Sequence, residues 1–176
     1  MRAVLLAFVA GMLAVFTPAV AQAPAWQTYT YAELGYSIQL PVAPQRNDDP
    51  VVTPRGTMPS SFISSSYGAL VFGLKTSNYT TATGGAPQDG GTTAQNAMNG
   101  VLQGRTVLTQ SSFDVPDGGG RESISSANGL MVRTRIYYVT PRLFIVMAAI
   151  PDSQSQNFLT TGAAATYFNS FTLLPR

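Results

Sequence analysis

The run Leu143-Phe144-Ile145-Val146-Met147-Ala148-Ala149-Ile150 is apolar at every position. A strand with one solvated face alternates apolar and polar residues, so a strand without that alternation is buried on both faces. Thr140-Pro141-Arg142 turns the chain just before the run. The segment therefore predicts a central strand with a layer of structure on either side.

The surrounding residues supply the rest of a sheet. Gln27 to Tyr31 and Tyr36 to Leu40 read as strands around a Leu34-Gly35 turn, with Pro41 closing the second. Pro44 to Pro59 reads as loop with room for one short strand. Ser61 to Ser66 and Ala69 to Thr76 form a predicted hairpin across Tyr67-Gly68, with Leu70, Phe72 and Leu74 on one face. Strands at Arg105 to Phe113 and Arg121 to Ser126 flank a Pro116 to Gly120 turn, and Asn128-Gly129 is a hairpin signal leading into Leu130 to Val139. In that last strand Met131, Arg133, Arg135 and Tyr137 share one face, while Val132, Thr134, Ile136 and Tyr138 share the other. Residues 77–91, rich in Thr, Gly, Pro and Asp, read as a mobile loop.

Two helices are expected. Thr92 with Gln95 makes a capping box, and Ala94, Ala97, Met98, Val101 and Leu102 follow the spacing of a buried stripe that Gly104 ends. Asp152 or Ser153, the latter boxed by Gln156, caps the second, whose stripe is Phe158, Thr161, Ala164, Ala165 and Phe168. Phe171 to Leu174 then resumes an extended course. Separated helices on an antiparallel sheet give an α+β fold: a central antiparallel β-sheet of about six or seven strands flanked by helices, in an α/β/α sandwich.

The first residues concern location. Met1-Arg2, the uncharged apolar run Ala3 to Phe16, Thr17-Pro18 and the small-x-small Ala19-Val20-Ala21 read as a secretory signal peptide cut after Ala21. The apolar run is shorter than the roughly 20 residues a spanning helix needs, so no stable membrane span is expected after cleavage. Residues 1–21 are thus read as a signal segment and 22–176 as one domain, periplasmic or secreted. The chain has no Cys, so neither a disulfide nor the lipid anchor of bacterial lipoproteins is expected.

The chain also has no His. That removes the usual general base near neutral pH, the Ser-His and Cys-His nucleophile pairs, and the usual ligands of zinc and copper. Of its eight carboxylates, Asp48-Asp49-Pro50 and Asp117-Gly118-Gly119-Gly120 read as turns and Asp152 as a helix cap; a catalytic pair needs convergence across a cleft. Lys75 has no Ser-x-x-Lys partner and reads as a solubilising strand end. The net charge is +2 with no clustered basic face, so nucleic acid is not an expected partner. No catalytic residue, metal or cofactor is assigned. The expected interaction surface is the face of Arg133, Arg135 and Tyr137 together with the adjacent 77–91 loop, since Arg and Tyr are favoured at interfaces.

Tyr36-Ser37-Ile38-Gln39-Leu40-Pro41-Val42-Ala43-Pro44 resembles the opening "aromatic-Ser-Ile-x-apolar-Pro-x-x-Pro" strand of the PsbP-like superfamily. Arg135 to Val139, Pro141 to Phe144 and Tyr167-Phe168-Asn169-Ser170-Phe171 resemble its hairpin, helix and closing "Phe-x-Ser-Phe". The resemblance spans about residues 26–174 and rests on core and turn positions. It implies the superfamily's α+β fold, shared by extrinsic subunits of the oxygen-evolving photosystem, a yeast Ran-binding import factor and exported bacterial proteins of unknown role. The photosystem subunits' metal-linked residues have no counterpart here. The expected function is that of an exported, non-catalytic, partner-binding or accessory domain of the bacterial envelope, its partner an envelope protein or small ligand. The alternatives are a small-molecule carrier and a hydrolase using carboxylates in a groove near the 77–91 loop.

Overall fold

The computed structural model of the chain describes residues 25–53, 56–79, 84–87 and 89–175. The expected signal segment lies outside these residues, as do residues 80–83 and 88 of the 77–91 loop. The chain opens with the hairpin β1 (Gln27–Tyr31) and β2 (Tyr36–Leu40), followed by β3 (Gln45–Asn47), the two-stranded ribbon β4 (Val51–Thr53) and β5 (Gly56–Met58), and the hairpin β6 (Ser60–Tyr67) and β7 (Leu70–Asn78). Helix α1 (Gly90–Leu102) precedes the meander β8 (Thr106–Phe113), β9 (Gly118–Ala127), β10 (Leu130–Val139) and β11 (Arg142–Pro151). A 3-10 turn, Gln156–Leu159, leads to α2 (Gly162–Ser170) and β12 (Thr172–Leu173).

Seven strands form one antiparallel sheet in the order β3-β6-β7-β11-β10-β9-β8. The apolar run is β11, the fourth of the seven, as its lack of alternation requires. Its two faces serve two cores. Phe144, Val146, Ala148 and Ile150 join Phe72 and Leu74 of β7, Tyr36, Ile38 and Leu40 of β2, and Tyr167 and Phe168 of α2 in the larger cluster. Leu143 and Ile145 join Ile136 and Tyr138 of β10 against Ala94 and Met98 of α1. One face of the sheet therefore carries α2 and a small β1-β2-β12 sheet, and the other carries α1. The expected α+β sandwich is present, with the face that carries α2 completed by strands as well as a helix.

Several local expectations need correction. The 44–59 stretch holds three short strands, because Val51 to Thr53 pair with Gly56 to Met58 and Gln45 to Asn47 pair with β6. Helix α1 starts at Gly90 rather than near Thr92. Its cap is Asp89, whose Oδ1 accepts from the Thr92 N–H at 3.0 Å and whose Oδ2 accepts from the Thr92 hydroxyl at 2.6 Å. Gln95, freed from the expected capping box, accepts from Arg121 Nε at 2.7 Å. The buried stripe and the Gly104 stop, at φ +73°, stand as expected. Gly118 to Gly120 are strand and not turn: they pair with Tyr137 to Val139, and a Cβ on Gly119 would lie 2.7 Å from the Gly91 nitrogen. The glycines form a cradle for the start of α1. The second helix is broken at Gly162, which sits at φ +53°. The Thr160 and Thr161 hydroxyls both bond back to the Asn157 carbonyl, ending the 3-10 turn. As a result Phe158 is exposed, and the buried stripe of α2 is Ala164, Tyr167 and Phe168.

Candidate functional site

The Arg133, Arg135 and Tyr137 face lies beneath the C-terminal elements, which corrects its reading as an interaction surface. Cross-strand pairing sets Glu122 of β9 opposite Arg135 and diagonal to Arg133. Glu122 Oε1 accepts from Arg133 Nε at 2.6 Å, and Oε2 accepts from Arg135 Nε at 2.8 Å. Arg133 also donates to the Leu159 carbonyl at 2.9 Å, and its guanidinium stacks 4.5 Å from the Phe168 ring centroid. Arg133 is 8% exposed and Tyr137 packs against Phe171 and Phe113. A carboxylate, a carbonyl and an aromatic face together let an arginine sit in a core, so this face ties α2 to the sheet and offers little to a partner.

The opposite face is less well covered. Helix α1 lies across β9 and β10 and reaches Leu143 and Ile145 of β11, but it does not extend over β7 and β6. There Phe62 and Val71 remain exposed, Val71 to 51%, and the Phe62 ring packs on Gly73. Between this open face, α1 and the β4–β5 ribbon runs a groove of about 670 Å³. Val51, Met58, Tyr79, Ala97, Leu143 and Ile145 supply its apolar walls, with Lys75 and Asp89 as its charged groups. Tyr138, T-stacked on Tyr79, donates to the Pro87 carbonyl at 2.7 Å and so fixes the segment that borders the groove. The groove adjoins the 77–91 segment, as the hydrolase alternative requires. Among the described residues, though, its one lining carboxylate is Asp89, which is committed to capping α1, and the Thr92 contact holds that carboxyl below its usual range.

Two carboxylates do share a recess, on the sheet face that carries the small sheet. Arg46 Nη1 donates to Glu33 Oε1 at 2.6 Å and Arg46 Nε donates to Asp48 Oδ1 at 2.9 Å, and all three line a recess of about 360 Å³ with Ser61, Thr76 and Asn78. The Arg46 contact holds both carboxyls below their usual range. General-acid catalysis needs one carboxyl raised, so this pair is set in the wrong direction for that chemistry. Replacing Arg46 by Met is expected to raise both carboxyl midpoints toward the ordinary range, read by NMR titration of the side-chain carboxyl carbons. Because both groups are depressed in the folded state, the stability they contribute is present above the ordinary carboxylate range and is lost as pH falls through the lowered midpoints. The contribution is small for so exposed a trio.

No sequence signal marked the groove, since it assembles from α1, β4, β5, β7 and β11. Ser61 and Thr76 read as ordinary polar positions of a strand. No helix among the described residues is long and apolar enough to cross a membrane.

Comparison with known proteins bears on the fold. No protein-family model matches the chain, and no curated protein matches it. Among solved structures, it is similar to the solution structure of cyanobacterial PsbP (CyanoP) from Synechocystis sp. PCC 6803, at 12% identity and a TM-score of 0.53, over 90% of this chain and 98% of that one. The chain thus has a PsbP-like α+β fold.

Proposed function

We propose that this chain is an exported, non-catalytic domain that binds a partner protein in the bacterial envelope through the open face of β6 and β7 and the adjoining α1 groove. The observation that carries the reading is the half-covered sheet: one helix shields β9, β10 and β11, while Phe62, Val71 and the groove walls present apolar surface beside it. Apolar surface gathered in one place is a mark of an interaction site. The fitting partner presents apolar side chains on an extended segment or loop that enters the groove. The signal segment supports export, and the absence of His and Cys supports a binding role over the familiar hydrolytic ones.

The groove's volume also falls among small-ligand sites of roughly 300–1,000 Å³, which favours a small-molecule carrier as the second reading. Affinity capture from periplasmic extract separates the two when Val71→Glu is run beside the parent chain. Protein binding predicts one reproducible partner whose recovery falls about tenfold or more with a charge placed in the apolar contact. Equal recovery by the two baits, or a co-purifying small molecule with no protein, would overturn the leading reading.

A further inference from the structure

Five buried side-chain oxygens among the described residues have no hydrogen-bond partner, and three of them, Ser61 Oγ, Thr76 Oγ1 and Asn78 Oδ1, line the recess at Arg46. Buried polar groups are almost always satisfied, because leaving one unpaired carries its full desolvation cost. Three such atoms in one recess therefore point to an occupant. Ser61 and Thr76 are 5% and 3% exposed and stand directly opposite each other on β6 and β7. Asn78 lies two residues beyond Thr76 on the same face. Opposed side chains sit about 5 Å apart and alternate residues of a strand about 7 Å apart, so the three oxygens bracket a space the size of one small functional group. The Ser61 hydroxyl lies near enough to Asp48, and that of Thr76 to the Tyr36 phenol, to favour their ionised forms, and a proton turned that way leaves each oxygen's lone pairs free to accept from an occupant.

We propose that this recess binds a primary ammonium group carried by a small organic amine. The charges select it first. Glu33 and Asp48 against Arg46 leave the recess one negative charge, which a monocation neutralises; a divalent metal would overshoot, and an anion would meet two carboxylates. The donors select it second. An ammonium has three N–H groups and no acceptor, matching three oxygens that can all accept. Its alkyl chain has room in about 360 Å³ beside Leu34, Pro50 and Pro59. This site lies on the face of the sheet opposite the α1 groove and stands or falls separately from the partner surface.

The test titrates methylammonium, tetramethylammonium and calcium separately into the full chain and follows the backbone amides of Ser61, Thr76 and residue 78 by NMR, which every variant retains. Methylammonium is expected to give a saturable shift with an affinity about tenfold or more above that of tetramethylammonium, which has the charge without the donors. Asn78→Leu is expected to weaken methylammonium about tenfold and Asn78→Asp to retain it. Thr134→Val, which removes an unpaired hydroxyl on the opposite face of the sheet, is expected to change nothing. The proposal is overturned if methylammonium gives no saturable shift, as when ordered water alone fills the recess. Equal affinities for the two ammonium ions, or saturation by calcium alone, would also overturn it. Should Asn78→Leu fail to fold, the three titrations of the parent chain decide by themselves.

Discussion

Replacing Glu122 by Leu is expected to destabilise the domain by about 3 kcal/mol, measured by urea unfolding. Glu122 is the shared acceptor of Arg133 and Arg135, and without it the Arg133 guanidinium keeps only the Leu159 carbonyl and the Phe168 ring. Removing one partner of a buried pair costs about 3–5 kcal/mol, because the remaining charge stays buried and uncompensated. The Glu122 side chain retains 22% exposure, so some water reaches the pair and the low end of that range applies. Removing the more buried arginine as well relieves most of the penalty, because Arg135, which remains, is better reached by water: Glu122→Leu with Arg133→Met is expected to be more stable than Glu122→Leu alone. A single variant within about 1 kcal/mol of the parent chain, the value of an exposed ion pair, would show that these residues solvate the sheet face instead of fastening α2 to it.

Gly119→Val is expected to cost about 3 kcal/mol by a different route. A Cβ there would lie 2.7 Å from the Gly91 nitrogen, against backbone at the start of α1 that cannot rotate aside. Overpacking a tight contact costs about 1–3 kcal/mol, and the branched side chain against main chain sets the upper value. The same displacement moves Asp89 and Thr93, which line the groove, so partner capture should fall together with stability. Gly100, also in α1 but with open space where its Cβ would stand, is the control. Gly100→Ala is expected to stabilise the chain by about 0.5–1 kcal/mol through helix propensity. Stability differences are read from unfolding midpoints at constant slope, and equal effects at the two glycines would contradict the cradle.

Much of the fold was legible where one interaction dominates. The unbroken apolar run marked β11 as central, and Asn128-Gly129 marked the turn between β9 and β10, with both residues at positive φ in the structure. Other elements depended on partners remote in sequence. Gly118-Gly119-Gly120 has the composition of a turn, yet pairing with Tyr137 to Val139 makes it a strand, and the close approach of α1 is what requires glycine in it. Thr92 and Gln95 satisfy a capping-box pattern, yet Asp89 offers a carboxylate that satisfies both the backbone and the hydroxyl of Thr92. Arg133 and Arg135 on alternate positions resemble a solvated face, because strand periodicity cannot report a carboxylate from β9 or a phenylalanine from α2. The groove and the recess were illegible for the same reason: each is enclosed by three or more separate segments.

The central claim is that the uncovered face of β6 and β7 is the working surface, and site-directed photo-crosslinking tests it most directly. A photoreactive residue is placed at Val71 on that face, or at Gln110 on the exposed edge strand β8, and each chain is irradiated in envelope extract. The account predicts a discrete protein adduct from Val71 that is absent from Gln110 and is competed away by unlabelled parent chain. No adduct from Val71, or the same adducts from both positions, would contradict it.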